Sequence, residues 1–265
     1  MDKITVSTLR QKKEARQRIV ALTCYDAATA RLIDAAGVDV ALVGDSLANT
    51  RLGYANTLPV TFDEMLHHVR ASSRGVDHSL LVADMPFLSY EAAPWQAAIA
   101  AGRFIKEGGA VAVKLEGGRR VEKSIRAILN ANVPVMGHLG LTPQSVNREG
   151  GYRVQGRMPK DARDLLADAR LLEKLGVFSV VLEGVPAPLG RKISRALKIP
   201  TIGIGAGSGC DGQILVLDDL LGISESLPKF AAKYADLRKP MASAVRRYAA
   251  DVRSGKFPDD AHSYK

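Results

Sequence analysis

Five successive short apolar runs in this 265-residue chain each finish on an ionisable residue. The second run leads into Gly44-Asp45-Ser46, the third into Asp84, the fourth into Lys114-Leu115-Glu116, the fifth into Gly137-His138 and the sixth into Glu183. Asp45, Asp84 and Glu116, with one histidine nearby and no cysteine, make an oxygen-rich set suited to a hard divalent cation, most simply Mg2+ keeping waters that a substrate can displace. Zinc suits it less well. Any one of the aspartates, taken singly, reads as a cap at a strand-to-helix turn. Their convergence on one rim is what points to a site, because caps have no reason to converge. Isolated charges at an apolar rim are costly to desolvate, so the set calls for a compensating ion or a charged ligand.

Glu183, next in chain order, is a candidate general base, its plainer alternative being an ion pair with a nearby lysine or arginine. His138 reads equally as a structural hydrogen-bonder or as a catalyst. His67-His68 lies in a helical stretch and is read as surface or packing. Gly203, Gly205, Gly207 and Gly209 alternate after the seventh run, where barrels often cradle phosphate, but close backbone packing explains such a run as well.

The elements that must position these residues alternate. Short Val, Ile and Leu-rich runs bounded by turn residues read as strands over Ile19–Cys24, Val38–Val43, Leu80–Ala83, Ala110–Leu115, Val133–Met136, Val177–Leu182, Pro200–Ile204 and Gln213–Leu217. Helical periodicity covers Ala27–Ala36, Phe62–Arg74, Pro94–Glu107, Val121–Asn130, Ala162–Leu175 and Leu189–Leu197, several closing on a glycine such as Gly37, Gly75, Gly108 or Gly176. Eight βα repeats without a composition break predict a single closed (β/α)8 TIM barrel over residues 1–265, in preference to an open doubly wound sheet. Period-two alternation puts Ala112, Lys114 and Glu116 on the inward face. Two connections are long, Gly44 to Thr61 and Leu139 to Lys160, as functional loops often are. Tyr234–Leu237 and Met241–Val252 read as helical, and a polar tail over about 254–265 can order against a partner.

Composition sets the class. With 46% hydrophobic and 25% charged residues the chain has the balance of a globular protein, and no apolar run approaches a membrane span. The first residues lack the pattern of a secretion signal, so a cytoplasmic location is expected. Cys24 and Cys210 read as reduced, buried fillers. The net charge is +9, but Met1–Arg18 and Arg238–Lys265 carry most of it, and no recognition motif accompanies it, so neither nucleic acid nor membrane is expected as a partner.

Several stretches resemble the ketopantoate hydroxymethyltransferases: Val43-Gly-Asp-Ser46, Thr57-Leu-Pro-Val-Thr61, Val113-Lys-Leu-Glu-Gly-Gly118, Gly137-His-Leu-Gly-Leu-Thr-Pro-Gln-Ser-Val146, Gly150-Gly-Tyr-Arg-Val-Gln-Gly-Arg157, Ile202-Gly-Ile-Gly-Ala-Gly207 and Asp211-Gly-Gln-Ile-Leu-Val216. The likeness runs from about Ile4 to His262. It implies a barrel of the phosphoenolpyruvate/pyruvate-binding type that transfers the one-carbon unit of 5,10-methylenetetrahydrofolate to 3-methyl-2-oxobutanoate. The product would be 2-dehydropantoate, for pantothenate and coenzyme A synthesis. It implies Mg2+, a homodecamer of two stacked pentameric rings, Asp45, Asp84 and Glu116 as metal ligands or their water-mediated partners, and Ser46 and Lys114 as substrate contacts. It also implies that Asp45, Asp84 and His138 border the substrate and that Glu183 is the proton acceptor. A 2-oxo acid chelated through its ketone and carboxylate oxygens would have its C3–H acidified through a stabilised enolate.

Departures from the family pattern are Arg51, Arg148-Glu149, Gly184 and Asp218, of which Arg148-Glu149 bears on the packing of the long loop. The nearest rival is a Mg-dependent 2-oxo acid C–C lyase of the isocitrate lyase and phosphoenolpyruvate mutase kind. Such enzymes carry a loop cysteine or asparagine for the second partner, and no such loop motif stands out here. A catalytically silent barrel using its basic ends on RNA is the rival from another class.

Overall fold

In the computed structural model, which describes residues 2–265, eight parallel strands close into a barrel in chain order. They are β1 Ile19–Thr23, β2 Val40–Val43, β3 Leu80–Asp84, β4 Ala112–Glu116, β5 Val135–Gly140, β6 Ser179–Glu183, β7 Thr201–Ile204 and β8 Gly212–Leu215. All eight expected strands are present, and β1 pairs with β8 to seal the sheet. Parallel strands covered by helices are buried on both faces, which is why they read as near-continuous apolar runs. β5 is the strand that departs most from expectation, running through His138 to Gly140 rather than stopping at Met136.

The helices are α1 Val6–Glu14, α2 Ala27–Ala35, α3 Leu47–Thr50, α4 Phe62–Ser73, α5 Pro94–Lys106, α6 Glu122–Asn130, α7 Val146–Glu149, α8 Pro159–Leu175 and α9 Ala187–Ala196, followed by α10 Leu217–Leu220 and α11 Arg238–Arg253. Local chemistry starts α2 and α4 where expected, while α8 begins at Pro159 rather than Ala162 and α9 at Ala187 rather than Leu189. Asp26 caps α2 by accepting from Thr29 N–H at 2.8 Å. Thr61 and Glu64 close a capping box on α4, with Thr61 N–H donating to Glu64 Oε2 at 2.7 Å.

One parity of side chains fills the barrel: Ile19 and Ala21, Val40 and Leu42, Leu80 and Val82, Ala112, Met136, Val181, Ile202 and Ile214 belong to one buried cluster. Leu9 of α1 joins it, with Ile4 and Val6 packed alongside. α1 closes the N-terminal end of the barrel. Ile4 N–H donates to His78 O just before β3, Lys12 pairs with Asp39 just before β2, and Lys13 reaches Asp211 just before β8 at 2.8 Å. Part of the N-terminal positive charge is therefore structural.

The chain divides into two compact units, the barrel unit ending at Val216 and a unit Leu217–Lys265. In the second, α11 carries no buried residue and exposes Met241, Val245, Tyr248 and Val252 along one stripe. Tyr248 and Phe257 meet edge to face with centroids 5.5 Å apart. Tyr234–Leu237 is not helical, contrary to expectation. Tyr234 N–H and Leu237 N–H instead donate to Leu220 O and Leu221 O, at 2.8 and 3.0 Å, and Leu237 only caps α11.

Candidate active site at the C-terminal rim of the barrel

The inward parity that builds the core continues upward into charge. Val82 is followed inward by Asp84, Ala112 by Lys114 and Glu116, Met136 by His138, and Val181 by Glu183. Strand register sets them beside one another: Asp84 is the partner of Lys114, Glu116 of His138, and Glu183 of Gly140. Gly140 has φ +98°, and a Cβ there would lie 2.1 Å from Glu183 O, so glycine is required for β5 to pass Glu183. Asp45 comes from the loop after β2, where its N–H donates to Asp84 Oδ2 at 3.2 Å.

The contacts form one set. Lys114 Nζ lies 2.8 Å from Asp84 Oδ2 and 3.3 Å from His138 Nδ1. His138 Nε2 stands 3.2 Å from Glu183 Oε2 and Nδ1 stands 3.5 Å from Glu116 Oε1, both as charge contacts without hydrogen-bond alignment. Asp45, Asp84, Lys114, Glu116 and His138 are buried, while the Glu183 side chain keeps 17% exposure at the mouth.

Electrostatics follow from that burial. Desolvation raises Asp84 to about 7, Lys114 opposing and the charges of Asp45 and Glu116 adding to it. Burial pulls Lys114 the other way, but Asp84, Asp45 and Glu116 outweigh it and hold an ammonium. Burial raises Glu116. His138 rises to about 9, because Glu116 and Glu183 overcome burial and the Lys114 charge. Four acidic side chains thus surround a lysine and a histidine whose basicity they raise against the cost of burial.

Among the described residues, no three His, Cys, Asp or Glu side chains already stand as a coordination sphere. The donor chemistry nonetheless fits a divalent cation. Asp84 Oδ1 and Glu116 Oε1 are buried without a hydrogen-bond partner, and orphaned carboxylate oxygens in an acidic cluster are what a hard cation would satisfy. Asp45, Asp84 and Glu116 are the residues that could hold it.

Ser46 stands beside this ionic set, its Oγ hydrogen-bonded to Tyr25 OH at 2.9 Å. Two buried residues without an assigned role from sequence join the set. Gln144 Nε2 donates to Asp45 Oδ2 at 2.9 Å, and its backbone N–H donates to Glu116 Oε2 at 3.1 Å. Tyr90 OH donates to Gln144 Oε1 at 2.6 Å. The polar Gln144 within the Gly140-Leu-Thr-Pro-Gln144 turn was the available signal; Tyr90 had none, because its partners are distant in sequence. On the long loop, part-burial and then the charges of Asp45, Glu116 and Glu183 raise the Tyr152 phenol.

The unusual residues find ordinary places. Arg51 lies over the Tyr25 ring, 5.6 Å from its centroid. Arg148 and Glu149 pair with each other at the surface at 2.6 Å, so they do not disturb the interior of the long loop. Gly184 adopts φ +55° against Leu141. Asp218 is buried in the second unit. The glycine run packs rather than cradles: a Cβ on Gly207 would sit 2.4 Å from Ala187 Cβ, and one on Gly209 2.7 Å from Arg191 Cβ. His68 Nδ1–H donates to Tyr25 O, 2.7 Å away, as a packing residue.

Comparison with known proteins places this site in context. The chain is 52% identical over 263 residues to a 3-methyl-2-oxobutanoate hydroxymethyltransferase of Syntrophus aciditrophicus (strain SB), covering 99% of this chain and 97% of the relative. It is 53% identical over 261 residues to one of Geotalea uraniireducens (strain Rf4), covering 98% of each. Among solved structures, a phosphonopyruvate hydrolase in complex with oxalate and Mg++ superposes with a TM-score of 0.63 at 13% identity, over 100% of this chain and 92% of that one. A 2,3-dimethylmalate lyase, a PEP mutase/isocitrate lyase superfamily member, gives 0.60 at 16% identity, over 97% and 91%. These last two share the fold. No helix of the described residues is long and apolar enough to cross a membrane. The ketopantoate hydroxymethyltransferase family model matches residues 3–260, and with relatives about half identical along the whole length, the chain belongs to that family of enzymes.

Proposed function

We propose that this barrel transfers the one-carbon unit of 5,10-methylenetetrahydrofolate to 3-methyl-2-oxobutanoate, giving 2-dehydropantoate for pantothenate and coenzyme A synthesis. The observation that carries the reading is the contact between Glu183 and His138, 3.2 Å apart, at the open edge of a buried cluster holding Asp45, Asp84, Lys114 and Glu116. An acidic pocket with an ammonium at its floor and a part-exposed carboxylate at its mouth suits a 2-oxo acid whose carbon, next to the ketone, must lose a proton.

Asp45, Asp84 and Glu116 would hold Mg2+. Bound there, the cation supplies Lewis-acid polarisation of the ketone and carboxylate oxygens of the 2-oxo acid, lowering the acidity barrier at C3. Lys114, fixed as an ammonium by its acidic neighbours, holds the substrate carboxylate. Ser46, oriented by Tyr25, offers a hydroxyl to the same substrate. Glu183 takes the C3 proton. The methylene carbon then bonds to C3 and to the oxygen of a water as its two bonds to the folate nitrogens break, those nitrogens taking up the proton held by Glu183 and the one the water releases, and tetrahydrofolate departs. His138, held between Glu116 and Glu183, aims the Glu183 carboxylate through the 3.2 Å contact of its Nε2.

The apolar stripe Met241, Val245, Tyr248 and Val252 supports assembly through the C-terminal helix, consistent with a homodecamer of two stacked pentameric rings. Sedimentation velocity tests that assembly: a ten-chain species supports it and a monomer removes it.

The test of the reaction follows the C3 proton of 3-methyl-2-oxobutanoate by NMR in D2O. Exchange that needs divalent metal, followed by a hydroxymethyl product only after methylenetetrahydrofolate is added, supports the reading. Cleavage of a 2-alkylmalate or a C–P substrate without folate would favour the lyase alternative instead.

A further inference from the structure

Gln144 is an uncharged side chain wedged between two of the site's carboxylates, and its polar groups are all engaged. Nε2 donates to Asp45 Oδ2 at 2.9 Å and to Met85 O at 3.0 Å, Oε1 accepts from Tyr90 OH at 2.6 Å, and the backbone N–H donates to Glu116 Oε2 at 3.1 Å. The Tyr90 hydroxyl also accepts from Glu116 N–H at 3.3 Å, so its single proton goes to Gln144. These partners fix the amide orientation. A flipped amide would press its oxygen against the Asp45 carboxylate and the Met85 carbonyl.

The chain around Gln144 is built to hold it. Pro143–Ser145 forms a 3-10 turn, Ser145 N–H donates to Thr142 O at 2.8 Å, and Leu141 N–H donates to Glu183 O at 2.8 Å. Tyr90 and Gln144 are both buried, and Tyr90 O accepts from Ser124 Oγ at 2.7 Å. The carboxylates gain most from this. A carboxylate has two equivalent oxygens and one rotation, and a charge-assisted bond to one oxygen selects the rotamer that the other presents. Gln144 engages Asp45 through its side chain and Glu116 through its backbone, and the second oxygen of Glu116 is the orphaned one.

We propose that Gln144, clamped by Tyr90, is a positioning residue that orients Asp45 and Glu116 toward the divalent cation and couples the 141–145 turn to the site's affinity for it. The inference rests on the cation reading given under Proposed function. Gln144 does not touch the reacting atoms; it acts through the carboxylates. Outer-sphere partners of this kind typically change metal affinity by roughly tenfold to a hundredfold when removed.

The experiment titrates the full-length protein with Mn2+ and with Mg2+, in the absence of folate, by calorimetry and by electron paramagnetic resonance of free Mn2+. Gln144→Met keeps the side-chain volume and removes its three hydrogen bonds, while Tyr90→Phe removes the clamp together with the longer bond from Glu116 N–H and leaves the Gln144 amide in place. The expected result is a Mn2+ Kd raised roughly tenfold to a hundredfold in Gln144→Met and by less in Tyr90→Phe. Substrate C3 exchange lost at low Mg2+ should return at saturating Mg2+, a rescue that a merely structural role would not show. Wild-type Mn2+ affinity in folded Gln144→Met, or an exchange defect that saturating metal does not restore, overturns the inference. If Gln144→Met fails to fold, Tyr90→Phe decides by the same two readouts. A wild-type protein that binds neither cation removes the cation reading and this inference together, whereas wild-type binding with unaltered variants removes the inference alone.

Discussion

Lys114 and Asp84 are register partners on neighbouring strands, and their side chains meet at 2.8 Å inside the barrel with 5% and 1% exposure. A buried ion pair in a cluster that holds three further carboxylates is not there for stability, since apolar residues would fill the same space at lower desolvation cost. On the function proposed above, it would preset a cation for a substrate carboxylate.

The two partners should therefore behave unequally when removed. Lys114→Met leaves Asp45, Asp84 and Glu116 without their ammonium and should cost roughly 3–5 kcal/mol in the metal-free protein. Asp84→Asn reduces the excess negative charge and should cost less. Chemical denaturation of both variants, with and without Mg2+, checks the order: added Mg2+ should restore more stability to Lys114→Met, and an equal loss in both would contradict the charge account.

Gly140 is a second pressure point, because its φ of +98° and its 2.1 Å approach to Glu183 O leave no room for a side chain. Gly140→Ala should cost at least about 1–3 kcal/mol from backbone strain alone, with the clash added. Because the clash falls on Glu183, the residue proposed to take the proton, turnover should fall beyond what the melting temperature explains. Normal turnover in a stable Gly140→Ala protein would show that β5 can shift freely.

The thiols give a pH prediction. Burial pushes the Cys24 thiol up to about 12, with Asp26 adding and Ser72 opposing, and burial raises Cys210 as well. Neither should react with a disulfide reagent at pH 8 until the protein unfolds. The unfolded chain releases the Cys24 proton above about 9 while the folded chain keeps it to about 12. The unfolded state then binds fewer protons, so this group's contribution is intact below pH 9 and is lost as pH rises toward 12. Denaturation midpoints across that window, compared between the wild type and Cys24→Ala, test the sign: the wild type should lose more.

Much of this was legible in sequence, for physical reasons that differ by residue. The strands could be read because both faces of a parallel barrel are apolar, and the inward parity of Ala112, Lys114 and Glu116 follows from the pleat. Where β5 continues through Gly137, His138 and Gly140, propensity misleads: each is a poor strand former, retained because Gly137 packs against Leu172 and Gly140 clears Glu183. Asp45 sits in a loop, so its tie to Asp84 through a backbone N–H has no periodic signature. The roles of Gln144 and Tyr90 were hidden for the same reason, as their bonds join residues 26 to 99 positions apart. Tyr234–Leu237 has helical periodicity but spends its amides on Leu220 and Leu221 carbonyls.

The central claim is that Glu183 removes the C3 proton of a 2-oxo acid, and Glu183→Gln tests it most directly, because it keeps the shape and removes the base. Exchange of the C3 proton of 3-methyl-2-oxobutanoate with D2O, followed by NMR in the presence of Mg2+, should slow by roughly a hundredfold to ten-thousandfold while binding of the 2-oxo acid is retained. Exchange at the wild-type rate in Glu183→Gln would contradict the assignment and move the base elsewhere on the rim.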